Sequence, residues 1–188
     1  MTDLHDLERR VAQLESRIQI NDLVTRYGIA CDEHDIPHLE MLFTHDAEFA
    51  SPNGLMKAKG RDEIIAMFCK VLAVRGPGYH WTHDHIIRFD RGGEDKASGL
   101  LLSHAETTPN GIQSLAAMKY DDEYRIEDGT WRFAKRTISF LYYVPASEYD
   151  DALTQTNRVV AGDKRLAADY PENLAAWQNF DAKYRAGN

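Results

Sequence analysis

Leu4, Leu7, Val11, Leu14 and Ile18 recur at 3-4-3-4 spacing, a narrow apolar seam along one helix face. Such a seam is short for a self-standing coiled coil and suits packing on its own domain or on a subunit. The helical period continues through Ile20, Leu23, Val24, Tyr27 and Cys31 and breaks at Asp35-Ile36-Pro37. There Asp35 is placed to cap, and Pro37 to occupy the first turn of, a short helix over 38–43. Residues 47–51 read as a first strand ending at the turn Pro52-Asn53-Gly54. The helical period returns over 61–74 through Ile64, Ile65, Phe68 and Leu72, and Arg75-Gly76-Pro77-Gly78 stops it. From Tyr79 the pattern is mostly strand, over 80–89, 97–107, 113–125 and 130–143. Turns at Arg91-Gly92-Gly93, Pro109-Asn110-Gly111 and Glu127-Asp128-Gly129 separate these runs. After Pro145 polar helical sequence resumes, over 148–158 and 171–185.

Helices first and a strand meander second predict an α+β fold rather than alternating βαβ units. The long strands are expected to curl into a cone-shaped barrel of mixed or antiparallel sheet, closed by the N-terminal helices around a pocket. Residues 1–145 would form this domain and 146–188 a C-terminal helical tail.

Composition narrows the partners. The 188 residues carry 30 Asp+Glu against 22 Lys+Arg, with no basic stripe, which argues against nucleic acid. No apolar run reaches the roughly 18–20 residues of a membrane span, and the start of the chain does not read as a signal peptide. Cys31 and Cys69 lack a close-spaced metal or redox motif and read as reduced thiols, so the expected location is cytoplasmic. Dinucleotide, phosphate-loop, serine-elbow and HExxH motifs are missing. The broad outer face of the sheet is expected to make a homo-oligomer, a dimer or trimer, with Trp81 and Ile87 in the contact.

Three of the eight histidines fall in Tyr79-His80-Trp81-Thr82-His83-Asp84-His85. Strand alternation puts His80, Thr82, Asp84 and Ile86 on one face and Trp81, His83, His85 and Ile87 on the other. Two readings follow. His80 with Asp84 is the start of an acid–base site. His83 and His85, with Asp90 beyond, loosely resemble the two-histidine metal motif of cupins, although no second motif follows and exposed strand histidines explain the pair as well. Asp32 ends the long helix, where a carboxylate opposes the dipole; pattern alone makes it a solvated acid.

The run Ile20-Asn21-Asp22-Leu23, Tyr27, Asp32, Asp35, Leu42-Phe43 and Asp46-Ala47-Glu48-Phe49 resembles the opening of SnoaL-like proteins of the nuclear-transport-factor-like, cystatin-like superfamily. Lys59-Gly60-Arg61, Tyr79-His80 and Asp128-Gly129-Thr130-Trp131-Arg132-Phe133 look like later landmarks of the same family in the right order. The resemblance covers about residues 16 to 143. Among members it looks nearest to scytalone dehydratase, hexachlorocyclohexane dehydrochlorinase and bile acid dehydratase. It implies a cofactor-independent, metal-free lyase or isomerase of dehydratase type acting on a hydrophobic cyclic small molecule. By this resemblance His80 is the base and Asp32 its partner, while Tyr27 matches a tyrosine of the bile acid dehydratase. Asp84, His104 and Arg136 complete the expected substrate contacts, with Arg136 on the alternate face from Trp131 and Phe133. Cys31 stands where scytalone dehydratase has a tyrosine. The family also includes non-catalytic partners such as dioxygenase small subunits, so a binding or accessory role is the alternative.

Overall fold

The computed structural model describes residues 3–89 and 95–185; Asp90 and the turn Arg91-Gly92-Gly93 lie outside them. Helix α1 runs from Leu4 to Asp32, with the Asp3 carboxylate accepting from the His5 N–H. Its buried residues begin only at Ile20. Asp35 caps α2 (Ile36–Met41) by accepting from the His38 N–H at 3.0 Å. The helix expected over 38–43 is therefore shifted. Phe43 is fully buried and already opens strand β1 (Phe43–Ala50).

Strand β2 (Lys57–Lys59) and helix α3 (Arg61–Leu72) follow, then four long strands: β3 (Tyr79–Phe89), β4 (Lys96–Thr107), β5 (Ser114–Glu127) and β6 (Thr130–Pro145). Asp128 and Gly129, at φ 53° and 71°, make the two-residue turn that joins β5 to β6. The sheet order is β2-β1-β6-β5-β4-β3. β1 pairs parallel to β6 and the other long pairs are antiparallel, so the sheet is mixed. The expected closure into a barrel does not occur. β2 and β3 end the order at opposite edges and pair with no further described strand, leaving the sheet open. Helices cover one face: α1 packs on β3 and β6, and α3 on β1 and β2. Between them lies an aromatic core in which the Phe49 and Phe68 rings meet edge-on at 5.3 Å, beside Tyr27, Phe43 and Phe133.

Several register shifts interrupt the sheet, and two of them decide which of the candidate residues face this core. In β3 the pairing moves from Thr82↔Ser103 to His85↔Leu101, three residues against two, so one extra residue reverses the alternation. His80 faces inward before the bulge; His85 and Ile87 do so after it. Ile87 is thus a core residue and not part of an outer contact, while Ile86 is exposed. In β6 the pairing moves from Tyr124↔Phe133 to Glu123↔Lys135, which skips Ala134. Arg136 therefore shares the buried face of Trp131 and Phe133 instead of the opposite one.

The segment after Pro145 is mostly not helical. It holds two short 3-10 turns, a hairpin of β7 (Val159–Ala161) and β8 (Lys164–Leu166), and one helix, α4 (Ala175–Tyr184). Arg158 explains the path. Its buried guanidinium donates to the carbonyls of Leu141, Gln155 and Tyr170 and to both oxygens of Glu172 at 2.8 Å. Those bonds hold the chain against β6, where Tyr143 pairs with Val159. No described helix is long and apolar enough to cross a membrane.

Candidate active site

The last residue of α1 is Asp32, where the helix offers a carboxylate only unfavourable carbonyl dipoles. β3 supplies the compensation. The His80 backbone N–H donates to Asp32 Oδ2 at 2.8 Å, and His80 Nδ1 lies 2.5 Å from Oδ1. The two side chains are 10% and 15% exposed, so little water competes for the pair. A carboxylate can only accept, so Nδ1 carries a proton, and in the neutral imidazole the lone pair then lies on Nε2.

His80 lines a cavity whose floor is set by strand register. His80 pairs with Ala105, Ala105 with Ala116, and Ala116 with Tyr143, a row across four strands. Two alanines in the middle leave room above them. The narrow inner chamber, about 30 Å³, is walled by Tyr27, Phe68, Met118, Tyr120 and Phe140 as well as His80. Past Met56, Val71, Arg75, Phe140 and Tyr143, which line both spaces, lies an outer chamber of about 290 Å³. β7 contributes Val160 and Ala161 to its wall, so the C-terminal segment is part of the cavity.

Burial pushes the Tyr27 phenol well above its ordinary range, with Cys31 and Tyr120 adding to the effect, and does the same to Tyr120. Both therefore remain neutral donors beside His80. Burial likewise pushes the Cys31 thiol up to about 12, so it stays a thiol.

Arg136 is fully buried but does not line either chamber. Asp122 grips it through Nε at 2.9 Å and Nη2 at 2.7 Å, and its guanidinium lies 4.2 Å from the Tyr27 and Tyr120 ring centroids and 4.0 Å from that of Phe133. Nη1 has no hydrogen-bond partner among the described residues; the ring faces around it take that place. Burial alone would lower the guanidinium's pKa, but the Asp122 carboxylate more than reverses this and keeps it charged. Arg136 thus lies behind two of the tyrosines that line the cavity.

Two other expected substrate contacts lie elsewhere. Asp84 is exposed because it sits in the β3 bulge, past the point where alternation with His80 holds. His104 is on the outer face of β4, its Nδ1 2.8 Å from His83 Nε2, beside Trp81 and Tyr149. The two-histidine reading fails on the same bulge: His83 points outward and His85 inward, and no described group of three or more His, Cys, Asp or Glu is arranged to hold a metal. The sequence pattern gives no site signal for three residues: Tyr120 lies among alternating strand residues, Asp122 in an acidic run, and Arg75 in a helix-stop sequence. Strand alternation places His85 outward. Instead it joins a chain that runs from the surface into the core: its ring nitrogens contact Asn21 at 2.8 Å and the Tyr124 hydroxyl at 3.0 Å, and Tyr124 donates to Asp122 at 2.8 Å.

A model of the SnoaL-like domain matches residues 12–137. The chain belongs to the SnoaL-like domain family. It is 28% identical over 146 residues to gamma-hexachlorocyclohexane dehydrochlorinase of Sphingobium indicum, covering 76% of this chain and 88% of that one. The solved structure of a type 2 hexachlorocyclohexane dehydrochlorinase superposes with a TM-score of 0.67 at 22% identity, over 82% of this chain and 99% of that one. A scytalone dehydratase-like protein of Novosphingobium aromaticivorans superposes with a TM-score of 0.65 at 21% identity, over 72% of this chain and 91% of that one. In this SnoaL-like chain the matched span contains Asp32, His80, Tyr27, Tyr120 and Arg136, and leaves out the β7 wall of the outer chamber.

Proposed function

We propose that this protein is a cofactor-independent lyase that eliminates HX, hydrogen chloride or water, from a hydrophobic ring held in the two-chamber cavity. The observation that carries the reading is the 2.5 Å contact between His80 Nδ1 and Asp32, which turns Nε2 into the available base on the cavity wall. Kinship with a dehydrochlorinase supports the reaction class.

His80 Nε2 takes a proton from a ring carbon. The C–H electron pair becomes the new C=C bond, and the leaving group departs from the neighbouring carbon with its own bonding pair. Asp32 stabilises the imidazolium that forms, as the buried acid does in a catalytic triad. Charge growing on the leaving group, or on an enolate oxygen, is met by the neutral hydroxyls of Tyr27 and Tyr120, with Arg136 behind their rings. The same proton abstraction, followed by return of the proton to another carbon, serves an isomerase.

The test is a panel of γ-hexachlorocyclohexane and cyclic β-hydroxy ketones incubated with chelator-treated protein. Mass spectrometry is expected to find products lighter by HCl or H2O, formed at least 10²-fold faster than by His80→Ala. Turnover abolished by the chelator, or undiminished in His80→Ala, would contradict the reading.

A further inference from the structure

Arg75 is the one permanent charge among the described residues that line either chamber. It sits at the junction of the two, where the walls are otherwise apolar apart from His80, Tyr27, Tyr120, Tyr143 and a few small polar groups. No described carboxylate lies within ion-pair distance of it, and no described group takes a hydrogen bond from its guanidinium. Its place just beyond the C-terminus of α3 suits a cation, and its backbone is fixed by an N–H bond to the Leu72 carbonyl at 3.0 Å and a bridge to Pro109. The charge reaches the inner chamber, since it opposes the effect of burial on both Cys31 and Tyr120. In a chain of net charge −8, an unpaired arginine in an apolar neck calls for an anion.

We propose that Arg75 anchors a carboxylate carried by the ligand, so that the substrate is an apolar ring with one acidic substituent, ring toward His80 and carboxylate toward the outer chamber. This rests on the cavity being the ligand site proposed above. A planar guanidinium fork matches a carboxylate bidentately, which fixes ring orientation as well as affinity.

Isothermal titration with 2-naphthoate and its neutral isostere 2-naphthamide tests this without needing turnover. Naphthoate is expected to bind wild-type protein at least tenfold more tightly than the amide. Arg75→Gln is expected to bring the two within about twofold, Arg75→Lys to restore part of the gap, and His80→Ala to retain it. Equal binding of both probes, no binding of naphthoate, or a preference that survives Arg75→Gln overturns the anchor. Elimination from the neutral panel above would then still stand or fall separately, because it reads His80 rather than Arg75.

A second inference rests on the first half of α1. Leu4, Leu7, Val11, Leu14 and Ile18 are 46–66% exposed, and the residues turned toward the domain, Gln13, Ser16 and Ile20, lie on the opposite side of the helix. As a heptad, Leu4, Val11 and Ile18 occupy a and Leu7 and Leu14 occupy d. Val11 and Ile18 are β-branched residues at a, and these with leucine at d favour two parallel strands, although Leu4 at a is unbranched at Cβ. The flanks agree. Arg10 and Arg17 fall at g, Glu15 and Asp22 at e, so a parallel copy in register sets Arg10 against Glu15 of the partner subunit and Arg17 against Asp22 of the partner subunit. Arg17 is already held at that edge, 5.1 Å over the Phe89 ring.

We infer that residues 4–22 pair with a second copy of this chain as a short parallel two-stranded coiled coil. Sedimentation of the full chain between 1 and 50 μM is expected to show a dimer, and Leu14→Glu a monomer with unchanged melting temperature. Arg10→Glu and Glu15→Arg are each expected to weaken association several-fold and, combined, to restore it. A wild-type monomer at 50 μM, a trimer, a mass unaffected by Leu14→Glu, or a double variant no better than the singles overturns the inference.

Discussion

Asp32 stands at the helix end where a carboxylate is least welcome, and one histidine from a strand 48 positions later answers it twice, through backbone and ring. On the proposed reading the pair acts as one unit, so its loss is not additive. His80→Ala and Asp32→Asn are each expected to slow turnover by roughly 10²–10⁴-fold, and the double variant to be little slower than the slower single one. Pattern alone made Asp32 a solvated acid; only the family resemblance joined it to His80, since nothing local in the sequence marks two residues so far apart as neighbours. His85 carries a second residue-scale prediction. Burial lowers its pKa, with Asp122 acting in the opposite sense. Its folded value therefore lies below its unfolded value of about 6.5, and the unfolded chain binds the extra proton first. Stability from this group is complete above about pH 6.5 and is lost as pH falls below it. The melting temperature is expected to decline across that range and to decline less steeply in His85→Gln.

Among the elements, the helices and long strands were legible because apolar period and turn residues agree over many positions. The helix ending at Asp32, the stop at Arg75-Gly76-Pro77-Gly78 and the Asp128-Gly129 hairpin are all punctuated by residues that permit little else. What the pattern did not show were the bulges, among them those past Thr82 in β3 and at Ala134 in β6. One inserted residue leaves strand composition unchanged yet reverses every later side chain, which is why Asp84 was expected beside His80 and Arg136 opposite Phe133. The polar C-terminal stretch misled for another reason: Arg158 holds it in an irregular path by bonds to three carbonyls, a tertiary effect outside local propensity. Within the sheet, Gly99 makes room for the buried His85–Tyr124 contact. A Cβ there would lie 2.7 Å from His85 Nε2 and 2.8 Å from the Tyr124 ring. Gly99→Ala is expected to cost about 1–3 kcal/mol in a denaturant titration, the usual scale for overpacking. An unchanged midpoint would show that the two rings yield freely.

At the scale of the whole molecule, an open mixed sheet with helices on one face leaves a cavity whose inner end is built from the first 143 residues and whose mouth depends on β7. Truncation after Pro145 is therefore expected to lower the melting temperature and weaken ligand binding together, whereas a detachable tail would leave both unchanged. The central claim is that the Asp32–His80 pair makes the cavity a site of proton abstraction rather than simple binding. The most direct measurement is the rate of HCl or water release from the ring panel by wild type, His80→Ala, Asp32→Asn and the double variant, all treated with chelator. Elimination by wild type is expected, with a fall of roughly 10²–10⁴-fold in each single variant and no further large fall in the double. Ligands that bind wild type without elimination, or single variants that react as fast as wild type, would contradict the claim.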